Sequence, residues 1–399
     1  MPIAITPDQL ALQASIRDWA KQAAPLAAVR RLEPGLPAEP STYLSDVAGL
    51  GVFSIAIPEA AGGAGGTLTD LAAALEQLTI ALVPGPVLPT ALAGLLLAAA
   101  DAASQLPALA TGHATAAVAL DTGTLTGTRH PDGILHVTGR TGPVLGAGTT
   151  SHLLLACATD NGEAWFWLPA AGAALTSRNP VDFSRSLAEV TLEDALIPAA
   201  QLITGLDTLK VRDLAATLYA AEAAGVAAWC SATAADYAKT RRQFGRVIAE
   251  FQAVKHLCAT MACRAERAAA LAWDAARAAD EKAGEHPLTA AAAAALALDD
   301  AVDNAKDCIQ VLGGIGFTWE HDAHLYLRRA LALRALLGGS APWRARVTGL
   351  ARAGARRQGR AAPRTGQAGR PGPARPRCRR ATGAAPAPGA GTGGRRAPR

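Results

Sequence analysis

Two stretches carry the residues best equipped for chemistry. They are Tyr237 to Gln252, YAKTRRQFGRVIAEFQ, and Cys308 to Ala330, CIQVLGGIGFTWEHDAHLYLRRA. Arg241 and Arg242 stand at an expected helix end just before Phe244-Gly245, where a guanidinium fork can grip a phosphate in a bidentate pair. Gln252, near the start of the next helix, brings an amide that both donates and accepts. Gln310 precedes Gly313 and Gly314, and the missing side chains of that pair let a ligand approach the backbone closely. An arginine, two amides and a glycine pair suit the ADP half of a dinucleotide. The same residues also suit a helix C-cap, a solvated arginine and two surface amides.

Other combinations lead nowhere. His321, Asp322 and His324 offer one helix edge, with no further pair to complete a tetrahedral metal set. No Gly-x-Ser-x-Gly elbow appears, which argues against a hydrolase. Gly62 to Gly66 lacks the Gly-Lys-Ser/Thr of a phosphate loop. Trp165 and Trp167 alternate with Phe166 on an expected strand and read as packing residues.

These groups must be positioned by three kinds of element. Residues 1–115 read as an N-terminal helical domain, with Leu68, Leu71, Leu75 and Leu78 at helical spacing. Residues 116–205 hold short strand-like runs separated by Asp132-Gly133 and Asn161-Gly162, which predicts a small antiparallel β domain. From 206 to 350 the helical period returns. Helices are expected near 208–240, 249–283, 288–312 and 321–350, forming a four-helix bundle. The fold class is therefore α+β. Residues 351–399 contain no Val, Ile, Leu, Met or aromatic residue and are expected to be disordered. Their Ala, Arg, Gly and Pro are what a frameshifted reading of a G/C-rich gene would give.

The charge belongs to that tail. It carries 13 arginines and no acid, and subtracting them from the net +5 of the 399-residue chain leaves residues 1–350 at −8. A body built to bind nucleic acid specifically is therefore not expected. The N-terminus shows no export signal, and the apolar runs 92–100 and 290–298 are too short to span a bilayer. The six cysteines form no CxxC pair and read as thiols of a cytoplasmic protein.

The two stretches resemble the C-terminal bundle of the acyl-CoA dehydrogenase family. Its pattern is Arg-x-x-Phe-Gly, a Phe-Gln pair, then Gln-x-x-Gly-Gly-x-Gly, Thr-x-Glu and an arginine. Here it falls on Arg241, Phe244, Gly245, Phe251, Gln252, Gln310, Gly313, Gly314, Gly316, Thr318, Glu320 and Arg328. Leu50-Gly51, Pro58-Glu59, Gly62-Gly63, Gly65-Gly66 and Glu76 resemble the family's first domain. The resemblance implies α,β-dehydrogenation of an acyl-CoA thioester, FAD shared between subunits, an electron-transfer partner and a homo- or hetero-oligomer. Arg241, Gln252, Gln310, Gly313 and Gly314 inherit the ADP-binding role.

The sequence departs from the family where the reaction occurs. A gap-free count from Gln310 puts the usual glutamate on Leu337. A count back from Arg241 puts the less common one on Ala215. Neither can take a proton, so no catalytic residue is assigned. Glu222, about two turns further along, is the alternative base. The loop that meets the flavin ring is also missing from Ala117 to Thr128. This split resembles α2β2 heterotetramers of actinobacterial steroid side-chain enzymes. His321-Asp322-Ala323-His324, Tyr326 and Arg328-Arg329 are similar to that group. It implies a subunit that supplies the ADP side of a partner's site. A self-sufficient enzyme and a paralogue that binds no flavin are the other readings.

Overall fold

The computed structural model describes residues 5–32, 41–100, 102–281 and 284–358. Helix α1 (Pro7–Ala23) begins where physics favours it: Thr6 and Gln9 exchange capping bonds, and Pro7 takes the first turn. Ala24, in the left-handed region, breaks the chain into α2 (Pro25–Arg31). Helices α3 (Ser41–Gly49), α4 (Leu68–Ile80), α5 (Val87–Ala99) and α6 (Leu106–Ala110) complete the first helical layer.

The β region follows as β1 (Ala116–Val118), β2 (Thr126–Arg129), β3 (Leu135–Leu145) and β4 (His152–Thr159), then β5 (Gly162–Pro169), β6 (Ala174–Ser177), β7 (Leu187–Ile197) and β8 (Leu202–Ile203). They form one sheet in the order β6-β7-β3-β2-β4-β5-β8. It is mixed rather than purely antiparallel, because β1 runs parallel to β4. Period-2 alternation divides its faces. Trp165 and Trp167 join the helical core, whereas Phe166 packs on the other face with Leu135, Val137 and Val190.

The remaining helices are α7 (Thr208–Thr240), α8 (Gln252–Asp280), α9 (His286–Leu312), α10 (Ala323–Leu336) and α11 (Ala341–Arg352). The single helix expected over 321–350 is thus two. Gly338 and Gly339 both take positive φ and turn the chain between them. Buried Asn304 ties three helices at one level, donating to the carbonyls of Ala227 on α7 and Met261 on α8. The order also runs past residue 351. Arg357 pairs with Asp274, Glu281 and Glu285 at 2.7–3.0 Å. Residues 359–399, where disorder is expected, lie outside the described residues.

Contacts at both ends of α4 help to fix the first helical layer to the bundle. The Asp280 carboxylate accepts from the backbone N–H of Leu68 and Thr69, at 2.7 and 3.0 Å, capping α4 from another helix. Gly225 on α7 lets α4 approach so closely that an added Cβ would lie 2.4 Å from the Glu76 carbonyl oxygen. Alanine normally improves a helix interior over glycine. Here Gly225→Ala should instead destabilise by about 1–3 kcal/mol through overpacking. Chemical denaturation checks this, and a variant at least as stable as the parent would refute it.

Candidate functional site

A cavity of about 430 Å³ opens where the β domain meets α7 and the end of α10. That volume suits a small-molecule ligand. Leu120, Val144, Leu187, Leu333 and Leu337 supply apolar walls, and Thr141, Arg185, Arg212 and Tyr219 supply polar groups. Asp121 lines it from the loop after β1.

Leu337 stands in this wall, 1% exposed. Its carbonyl accepts from Trp343 Nε1 at 3.0 Å, which pins the turn after α10. The position at which the sequence count expects the family's glutamate thus lines the cavity with a leucine side chain. Ala215 is fully buried in the helical core and is not part of the lining.

Glu222 is buried as well, but it does not line the cavity. Its Oε1 accepts from Arg185 Nη2 at 2.5 Å, while its Oε2 has no partner among the described residues. This pair belongs to a larger buried network. Arg329 on α10 pairs with Asp182, in the segment before β7, and donates to the Ser184 hydroxyl at 2.9 Å and to the Val83 carbonyl at 3.3 Å. Ser184 in turn donates to Asp182 at 2.5 Å. Burial opposes ionisation of Asp182, but Arg329 and Arg185 outweigh it and hold its carboxyl below the usual range. The network joins the β domain to α7 and α10 beneath the cavity.

Sequence reasoning missed this network. The signal was present in the Arg328-Arg329 pair, because consecutive helix residues face different ways. Arg328 reaches the Val181 carbonyl at 3.1 Å and lies over Phe183, whereas Arg329 is buried and needs an acid. Arg329→Met should leave Asp182 short of its counter-charge and cost about 3–5 kcal/mol at neutral pH. The sign with pH follows from the lowered Asp182 value. The stabilisation is present above the ordinary carboxylate range and lost as pH falls through the depressed value. The deficit of the variant should narrow in acid. An equal deficit at pH 7 and pH 3 would show that the loss is packing alone.

The ADP-type residues gather elsewhere. Arg264 pairs with Asp307, and Arg267 with Asp300, each at 2.5 Å, so α8 and α9 run antiparallel. The start of α8, with Gln252, and the end of α9, with Gln310, therefore share one end of the bundle. The end of α7 reaches the same end through a hairpin of β9 (Arg242–Gln243) and β10 (Arg246–Val247). Arg241 caps α7. Its N–H donates to the Tyr237 carbonyl, and its carbonyl accepts from Ile248 N–H. Its backbone is pinned while its side chain is exposed and makes no hydrogen bond or ion pair among the described residues. Gln252 is exposed and contacts His256 at 3.2 Å.

Gly313 needs its glycine for a φ of +64°. Gly314 has no such reason, and a Cβ there would meet nothing within 4 Å. Gly316, by contrast, would clash with the Ile309 carbonyl at 2.7 Å. The backbone at Gly314 is thus open, with no neighbour of this chain against it. Apolar surface surrounds this end: Phe244 is 91% exposed, Phe317 77% and Trp319 60%.

His321, Asp322 and His324 are engaged in local structure. His321 Nδ1 accepts from Ala323 N–H, His324 Nδ1 meets the His321 carbonyl, and Asp322 pairs with Arg30.

Comparison with known proteins covers both helical regions. Residues 6–113 match the model for the acyl-CoA dehydrogenase N-terminal domain, and 213–348 match that for the C-terminal domain. The chain is 44% identical over 369 residues to the acyl-CoA dehydrogenase FadE34 of Mycobacterium tuberculosis, covering 90% of this chain but half the length of FadE34. It is 35% identical to the acyl-CoA dehydrogenase IpdE2 of the same organism, covering 70% of this chain and 77% of that one. Among solved structures, a Tcur3481-Tcur3483 steroid enzyme superposes with a TM-score of 0.79 at 26% identity. The match covers 87% of this chain and 98% of that one.

Proposed function

The chain belongs to the acyl-CoA dehydrogenase family of flavin-dependent oxidoreductases, and from that premise we propose that it is the non-catalytic subunit of a shared-site enzyme. In this reading Arg241, Gln252 and Gln310, with the open backbone at Gly313 and Gly314, hold the ADP half of an FAD whose ring lies in a partner subunit. Bound FAD would supply the acceptor for the hydride leaving the acyl β-carbon. The observation that carries the reading is Leu337 in the cavity wall. In this reading the cavity remains, while Leu337 at the counted base position cannot take the α-proton.

Three further observations support it. Exposed Phe244, Phe317 and Trp319 beside the ADP-type residues form the apolar surface that a subunit contact covers. The similar steroid enzyme has a two-component name. FadE34 carries as much chain again as the part that matches here, enough for a second subunit. The reading includes an acyl-CoA substrate, with a fatty or steroid acyl group, an electron-transfer partner and an α2β2 assembly.

The free thiols suit a reducing cytoplasm. No described helix is long and apolar enough to cross a membrane.

The unpartnered Glu222 Oε2 favours a second reading, a self-sufficient enzyme with Glu222 as base. Its absence from the cavity lining and its bond to Arg185 count against that reading. The test is to assay the chain alone and mixed with a family subunit that carries the glutamate. Turnover confined to the mixture is expected, and turnover by the chain alone sinks the proposal.

A further inference from the structure

Loss of the glutamate changes the charge of the cavity as well as its reactivity. With Leu337 and Ala215 at the two base positions, no carboxylate from either faces the guanidinium of Arg212. Arg212 lines the cavity from the first turns of α7 and makes no hydrogen bond or ion pair among the described residues. It lies over the Trp343 ring, 5.5 Å from its centre, within cation–π range. Trp343 is itself fixed by its bond to the Leu337 carbonyl. The adjacent acid, Asp213, is taken by Arg346 at 2.7 Å.

A second guanidinium lies in the same lining. Arg185 is buried and committed, with Nη2 bonded to Glu222 and Nε 3.9 Å from the Asp182 carboxylate. Of the acids in the lining, Asp182 is held by Arg329 and Arg185. Asp121 accepts from its own loop at Gly123 N–H and pairs with neither arginine within 4 Å. The cavity therefore offers one uncommitted guanidinium, that of Arg212, among apolar walls. A guanidinium without a carboxylate partner, resting over an aromatic face, keeps its fork available for a planar anionic group.

We propose that Arg212 makes this cavity selective for an acyl-CoA that presents an anionic oxygen group, carboxylate or phosphate, at its α7 end. The inference rests on the acyl-CoA reading above and adds the ligand's charge to it. The anion has two possible sources, a carboxylate on the acyl group or a phosphate of CoA. Calorimetric titration of the full chain separates them with four probes: hexanoyl-CoA, adipoyl-CoA and the pantetheine thioesters of the same two acids.

Arg212→Gln should weaken binding about tenfold to a hundredfold wherever the anion is present. A loss confined to the two adipoyl probes identifies the acyl carboxylate. A loss confined to the two CoA probes identifies phosphate. Arg212→Lys should recover part of the affinity, since the charge remains but the fork is lost. Unchanged affinity for all four probes overturns the inference and leaves the acyl-CoA reading standing. So does an equal loss for hexanoyl-pantetheine, which carries no anion. Failure of the parent chain to bind any of the four overturns both. The melting temperature of Arg212→Gln, expected to match the parent, keeps misfolding from passing as lost recognition.

Discussion

The purified chain should reduce an artificial electron acceptor with acyl-CoA about 100- to 10,000-fold more slowly than a family member that has its glutamate. This is the usual effect of losing a general base. The thioester α-proton is weakly acidic, and the reaction needs a group within hydrogen-bond reach to remove it. Leu337, which the sequence count puts at the base position, lines the cavity and cannot accept a proton. The cavity does contain carboxylates, but Asp182 is bound by Arg329 and Ser184, and Asp121 by its own turn. Glu222 is bonded to Arg185 and lies outside the lining. The assay is dye reduction with a panel of acyl-CoAs, run on the parent chain and on Glu222→Gln. Ordinary rates in the parent that vanish in Glu222→Gln would move the function to the self-sufficient reading. Ordinary rates that survive Glu222→Gln would show a base that neither position supplies.

The parts of this molecule that could be read from sequence are those where one residue's environment is set by its near neighbours. Trp165, Phe166 and Trp167 alternate, and strand geometry sends the tryptophans to one core and the phenylalanine to the other. Helix α7 was legible over its whole length because Asp207 and Arg241 bracket an unbroken alanine-rich run. The break between α10 and α11 was not, since the apolar pattern of Leu331 to Leu337 runs up to it and Trp343, Val347 and Leu350 resume helical spacing beyond it. Only the backbone shows Gly338 and Gly339 turning the chain.

The site divides in the same way. Arg241, Gln252, Gln310, Gly313 and Gly314 sit in local motifs with fixed spacing. The network of Asp182, Arg185, Glu222 and Arg329 joins residues 147 positions apart, and no local pattern encodes such a pairing. Arg212 was hidden for another reason. Its role depends on what is missing opposite it, and a missing carboxylate becomes visible only once the cavity wall is known. Arg357 shows the limit of composition. The tail in which it lies has no Val, Ile, Leu, Met or aromatic residue, yet three carboxylates on the body draw it into the structure.

In the complex of this chain with a glutamate-bearing partner, Arg241→Ala should lower flavin affinity about tenfold to a hundredfold. That range follows from a charge-assisted hydrogen bond to phosphate, worth roughly 1.5–3 kcal/mol. The residue is prepared for the task. Two backbone hydrogen bonds fix its position at the end of α7, and its exposed guanidinium has no partner among the described residues. Its neighbour Arg242 is committed to the Gly245 carbonyl at 3.2 Å, so it is not an equivalent replacement. Arg129, on the sheet and far from the bundle end in sequence, provides the control: Arg129→Ala should retain the parent's flavin. The measurement is the ratio of flavin to protein absorbance after co-purification and dilution below the parent's saturating range. Loss in Arg241→Ala with retention in Arg129→Ala supports an ADP site on this chain that acts on a cofactor shared with the partner. Full occupancy in both would mean that this chain does not grip the ADP moiety. The exposed aromatic surface at the same end would then serve assembly alone, and the non-flavin paralogue would become the better account of the fold.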